Sequence, residues 1–111
     1  MIYVFDTNSV INYLWGNENF HENFETALLH EDEHDFIIPR VVDYELCRGF
    51  EIKPVPKKET MYKILTGSGG CCLVVDAGGI IWQNARHIYA ELYRKRFTVG
   101  ELDILIVAFC L

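Results

Sequence analysis

Three carboxylic acids stand in otherwise apolar stretches of this 111-residue chain. Asp6 ends the run Ile2-Tyr3-Val4-Phe5, Glu45 lies within Val41-Val42-Asp43-Tyr44-Glu45-Leu46, and Asp103 interrupts Leu102-Asp103-Ile104-Leu105-Ile106-Val107. An isolated charge buried in such surroundings is costly, so each acid needs a compensating partner. Carboxylate oxygens are hard ligands of the kind Mg²⁺ and Mn²⁺ prefer. The soft or mixed ligand sets lack their patterns. His21, His30, His34 and His87 show no HExxH-like spacing, and Cys47, Cys71, Cys72 and Cys110 contain no CxxC. Gly67-Ser68-Gly69-Gly70 lacks a P-loop lysine, and no Ser or Cys sits in a nucleophile elbow.

The elements that would position these acids alternate along the chain. Ile2 to Phe5 reads as a strand buried on both faces, as in parallel sheets. Asp6-Thr7-Asn8-Ser9 then starts a helix, placing a carboxylate at the carboxyl end of the strand, where open α/β sheets bind ligands. Asp6 can equally serve as the cap of that helix, and so can Asn8. An amphipathic stretch from Phe20 to His30 precedes a solvated acidic loop, Glu31 to Asp35. Phe36 to Ile38 is a second strand. The pattern from Arg40 predicts a helix stopped by Gly49, with Asp43 on the side away from Glu45 and exposed. Lys53-Pro54-Val55-Pro56-Lys57-Lys58 is a stiff basic connector to a helix over Glu59 to Leu65. Cys71 to Val75 is a third strand, in which Cys71 and Cys72 would point to opposite faces. Asp76 is expected to cap a long helix with the apolar face Ile81, Ala85, Ile88 and Leu92. Arg94, Lys95 and Arg96 complement its dipole or contact phosphate. Thr98 and Glu101 fit a capping box for the last helix.

Composition bounds the function. The length suits one domain burying roughly 65% of its unfolded surface. A net charge of −6 argues against strong non-specific duplex binding and suits a protein that gathers cations or meets a basic partner. No apolar run approaches the ~18 residues of a membrane span, and Asp6 comes too early for a signal peptide. Scattered cysteines read as reduced, buried thiols, so a cytoplasmic protein is expected.

The motifs Tyr3-Val4-Phe5-Asp6-Thr7-Asn8, Tyr44-Glu45-Leu46-Cys47-Arg48-Gly49 and Gly100-Glu101-Leu102-Asp103-Ile104-Leu105-Ile106-Val107-Ala108 resemble, in order, those of PIN-domain ribonucleases. The similarity is greatest to VapC-type toxins of bacterial and archaeal toxin–antitoxin pairs. Each motif alone is unspecific; the three together, on an α/β alternation, are fairly specific.

The resemblance implies an α/β/α three-layer sandwich with a parallel sheet ordered 3-2-1-4-5. It implies a Mg²⁺- or Mn²⁺-dependent endoribonuclease, the toxin of such a pair, with an antitoxin as partner. By motif position Asp6, Glu45 and Asp103 are the matching acids and metal ligands, and Asn8 is the adjacent polar site residue. The family usually continues past Leu111 into further strands and a fourth site residue. Residues 1–111 are therefore expected to form one domain, incomplete at its C-terminus. The first strand would then offer an open edge that favours a homodimer or higher oligomer. The expected substrate is single-stranded or looped RNA, with Arg86, Arg94, Lys95, Arg96 and the Lys53–Lys58 connector as candidate phosphate contacts. Phe20, Phe24 and Tyr62 either line a partner groove or belong to the core. Two other readings stand beside this one. A haloacid-dehalogenase-like phosphatase also places Asp after its first strand, but wants a second Asp where Asn8 stands. An inactive, truncated PIN fold would serve only to bind an antitoxin-like partner.

Overall fold

The computed structural model describes residues 1–29 and 34–111; Glu31 to Glu33 of the expected acidic loop lie outside the described residues. Strands β1 (Ile2–Val4), β2 (Asp35–Pro39) and β3 (Leu73–Val75) make a parallel sheet in the order β1-β2-β3. This is the 3-2-1 portion of the expected order, with β1 at an edge among the described residues. Ile2 pairs with Asp35, Val4 with Ile37, and Ile37 with Leu73. The Phe5 amide donates to the Ile37 carbonyl at 2.9 Å, carrying the ladder one residue further.

Side chains alternate across a sheet, and here the two faces differ. Tyr3, Phe5, Phe36 and Ile38 share the well-covered face. Phe24 of α2 (Glu18–Leu28) sets its ring 5.3 Å from both Phe5 and Phe36, while α1 (Thr7–Leu14) adds Val10 and Leu14 to the same core. Each fully buried ring or aliphatic side chain is worth about 1.5–3 kcal/mol. The opposite face carries Ile2 and Leu73, both exposed. The expectation of strands buried on both faces is therefore only half met. The reason lies in α5 (Gly79–Arg94) and α6 (Glu101–Ala108), which pack chiefly on one another. Ala85, Ile104 and Ala108 centre a second cluster, edged by Ile81, Ile88 and Leu92 as the spacing predicts. Ile106 alone of α6 reaches the main core.

The helix α3 (Arg40–Ile52) buries Val42, Leu46 and Phe50 at four-residue spacing. It runs through Gly49, the expected stop, because Gly49 keeps a helical conformation. The break comes at Lys53, extended at φ −135° and ψ 93°, as the residue before a proline prefers. In α4 (Pro56–Thr66), Tyr62 and Leu65 are buried. Phe24 and Tyr62 are core residues, and half-buried Phe20 packs on Phe5 and Phe24, where these phenyl rings line a small apolar hollow of about 120 Å³. The third strand starts at Leu73, two residues later than predicted, because the Cys72 amide donates to the Leu65 carbonyl at 3.2 Å. Cys71 and Cys72 therefore do not take opposite sheet faces; their sulfurs lie 3.9 Å apart.

Candidate functional site

All three strands run parallel, so Asp6, Arg40 and Asp76, which follow them, lie along one carboxyl rim. Asp6 is the N-cap of α1. Its Oδ1 accepts from the Ser9 amide at 2.8 Å and from the Ser9 hydroxyl at 2.7 Å. Its Oδ2 takes no protein hydrogen bond or ion pair among the described residues. Asn8 is exposed on α1 and does not cap it. The Thr7 hydroxyl between them is buried and has no hydrogen-bond partner among the described residues.

Glu45 of α3 is half-buried and faces α1 across an apolar hollow of about 340 Å³, whose wall includes Thr7, Ile11 and Trp15. Asp103 is exposed in the first turn of α6 and folds back beside Gly100. The structure thus brings Thr7 and Glu45 to one hollow, with Asp6 at the head of the same helix, and sets Asp103 on a different pair of helices. Among the described residues no three His, Cys, Asp or Glu side chains form a group able to hold a metal ion. The chemistry of the three acids nevertheless fits a hard divalent cation: every donor is a carboxylate oxygen, and one of Asp6 is uncommitted. An orphaned buried hydroxyl beside them is the kind of group that a bound water or ligand satisfies.

Asp43, expected to be solvent-exposed, is instead the hub of a polar network. Its Oδ1 accepts from the Tyr62 hydroxyl at 2.7 Å and from the Cys47 thiol at 3.6 Å, and its Oδ2 lies 3.5 Å from the Arg40 guanidinium. Burial, and then the bond to Asp43, push the Tyr62 phenol well above its ordinary range. Burial and the same carboxylate raise the Cys47 thiol. A signal for this was present. At 100° per residue Asp43 lies about 60° from the centre of the Val42, Leu46, Phe50 face, whereas Glu45 lies about 100° from it. Asp76 is not a helix cap either. Gly78 precedes α5, and Asp76 accepts from Arg40 Nε at 2.9 Å, which raises the guanidinium further above its usual range. The Thr98–Glu101 capping box is likewise absent: α6 starts at Glu101 from Gly100, without a side-chain cap.

The expected phosphate contacts divide. Arg86, Arg94 and Arg96 are exposed and have no ion pair among the described residues. Lys95 lies 3.5 Å from Glu91. Lys58 of the connector donates to the Leu14 carbonyl at 2.7 Å beside the Trp15 ring, a structural role. No helix among the described residues is long and apolar enough to cross a membrane.

Residues 3–111 match the family model described as PIN domain. No curated protein matches the sequence. Among solved structures the fold is similar to that in the crystal structure of VapBC2 from Rickettsia felis bound to a DNA fragment from their promoter. That similarity has a TM-score of 0.81 at 22% identity, over 97% of this chain and 79% of that one.

Proposed function

Because the chain belongs to the PIN domain family, we propose that it is a divalent-metal-dependent endoribonuclease acting on single-stranded or looped RNA. It is the toxin of a toxin–antitoxin pair and works in the cytoplasm. The observation that carries this reading is the divided carboxylate of Asp6, at the rim where such sheets bind ligands. One oxygen fixes the head of α1 and the other is left for a ligand. Asp6, Glu45 and Asp103 would hold Mg²⁺ or Mn²⁺. When bound, such a cation acidifies water and stabilises the charge of phosphoryl displacement. Asn8, which directly follows Thr7 of Glu45's hollow, orients a water or a phosphate oxygen. The similarity to the VapBC2 complex supports an antitoxin-like protein as partner. A homodimer or larger assembly belongs to the same reading.

That no three His, Cys, Asp or Glu side chains among the described residues form a group able to hold a metal ion favours one second reading, an inactive PIN fold that only binds a partner. A cleavage assay on single-stranded RNA decides between them. The enzyme reading expects cleavage with Mg²⁺ or Mn²⁺, none in EDTA, and none by Asp6→Asn. Undiminished cleavage by folded Asp6→Asn overturns the assignment of Asp6; no cleavage by the native chain leaves the binding module.

A further inference from the structure

The exposed face of α5 carries a pattern that the packing of the domain does not use. Trp82, Arg86, Tyr89 and Tyr93 recur at spacings of four, three and four, which places them on one helical stripe. Phe97 follows just beyond the helix end. The four rings are 49–73% exposed, whereas a stripe about 100° around the same helix supplies the α5–α6 cluster. Solvent-facing rings in such a row mark a contact surface. Tyr89 and Tyr93 lie nearly parallel, 18° apart at 6.4 Å between centroids.

Charge indicates what the surface meets. Residues 79–97 hold four Lys or Arg and a single carboxylate, in a chain whose net charge is −6. Six of the ten Lys and Arg lie elsewhere, but this segment is net basic within an acidic protein and exposes its rings, which suits a polyanion with aromatic faces. Duplexes hide their base faces; single strands offer them.

A second observation concerns Arg96. The amide of Phe97 donates to the Leu92 carbonyl at 2.9 Å and that of Arg96 to Tyr93 at 3.1 Å. That is a Schellman ending, whose left-handed position usually belongs to glycine. Arg96 occupies it at φ +60°, a strained conformation for a residue with a Cβ. A strained cation at the end of the stripe is a reason to look for a bound anion there.

We infer that this face of α5 is a docking strip for single-stranded RNA, with bases stacking on Trp82, Tyr89 and Tyr93 and phosphates meeting Arg86 and Arg96. The choice of polymer rests on the ribonuclease reading. The strip begins near the start of the helix that carries Asp103 and near the sheet rim. Trp82 and Arg86 border a hollow of about 380 Å³ with Glu101 and Leu102, in the turn that carries Asp103. Trp82 also lines the hollow beside Arg40 and Asp76 at the sheet rim. From Trp82 to Tyr93 the stripe runs about 17 Å away from that rim.

The test is a fluorescence-anisotropy titration with a labelled 2′-O-methyl single-stranded oligonucleotide in EDTA, where no cleavage or metal binding contributes. Tyr89→Ala and Tyr93→Ala should each weaken binding roughly 5- to 100-fold, the range of one lost stack. Tyr93→Phe should restore it. Arg86→Ala and Arg96→Gly should each lower the slope of log affinity against log salt by about 0.7, one phosphate apiece. Circular dichroism shows that each variant is folded. Unchanged binding by folded Tyr89→Ala and Tyr93→Ala would overturn the strip. So would light scattering showing a homodimer that the same substitutions dissociate, since a protein surface would then own these rings. Because the titration needs no cleavage, intact binding without nuclease activity would sink the ribonuclease reading and leave the strip standing.

Discussion

Replacing Asp6 separates two jobs that one side chain performs. Its Oδ1 caps α1 through the Ser9 amide at 2.8 Å and the Ser9 hydroxyl at 2.7 Å. Removing an N-cap costs about 1 kcal/mol, and losing a negative charge at a helix N-terminus about 0.3–1 kcal/mol. Asp6→Ala loses both and should cost roughly 1–2 kcal/mol. Asp6→Asn keeps an amide oxygen for the cap and should cost roughly 0.3–1 kcal/mol. Urea denaturation measures this as a shift in midpoint at constant slope. Repeating it with Mg²⁺ or Mn²⁺ isolates the second job. A ligand that binds only the folded chain raises its stability by RT ln(1 + [L]/Kd), about 2.7 kcal/mol at a hundredfold excess over Kd. That increment should appear in the native chain and vanish in both variants. If Asp6→Asn falls as far as Asp6→Ala, the cap argument is wrong. If the metal increment survives Asp6→Asn, the free oxygen is not a ligand.

Three further outcomes follow from the packing. Tyr62→Phe removes a hydrogen bond to a charged acceptor and should cost about 1.5–3 kcal/mol; a double-mutant cycle with Asp43→Asn should show coupling above 0.5 kcal/mol, and additivity would deny the network. Burial holds the Cys72 thiol above its ordinary 9.0 and the Tyr62 phenol above its ordinary 10.0. Stabilisation from both is complete below those values and is lost as pH rises past them, because only the unfolded chain then releases the protons. The slope should reach about 1.4 kcal/mol per pH unit per group, read as urea midpoints from pH 8 to 11. Ile104→Ala opens the α5–α6 cluster and should cost about 2–5 kcal/mol in the same assay.

What the sequence made legible was the order of elements and the apolar faces. Ile81, Ala85, Ile88 and Leu92 were readable because a 3.6-residue period leaves no other face for them. The readings that failed depended on where backbone groups find partners, which local pattern does not state. Gly49 was read as a stop, yet Pro54 sets the end of α3 through Lys53. Thr98 and Asp76 had the composition of caps, but the N-cap positions of α6 and α5 fall two residues later, at Gly100 and Gly78, and Asp76 is held by Arg40 from the neighbouring strand's end. Asp43 was placed in solvent because it diverges from Glu45; its partner Tyr62 is 19 residues away, beyond any helical period. Long-range polar pairs are decided by tertiary packing.

The candidate site shows the same limit from the other side. The sequence posed Asp6 as either a helix cap or a site residue, as though one excluded the other. A carboxylate has two oxygens and about four lone-pair directions, and Ser9 takes only Oδ1. Capping therefore holds the side chain still while leaving an oxygen at the rim, which is what a ligand needs from a preorganised donor. Asn8 and Thr7 gain from the same anchoring, since α1 can start only where Asp6 fixes it. Ser9→Ala tests that dependence. It leaves the 2.8 Å amide bond and removes the 2.7 Å hydroxyl bond, so the fold should lose no more than about 1 kcal/mol. The freed carboxylate can then turn, and metal affinity should fall further than stability does. Equal affinity in Ser9→Ala would mean that Asp6 needs no positioning, and that its place at the head of α1 serves the helix alone.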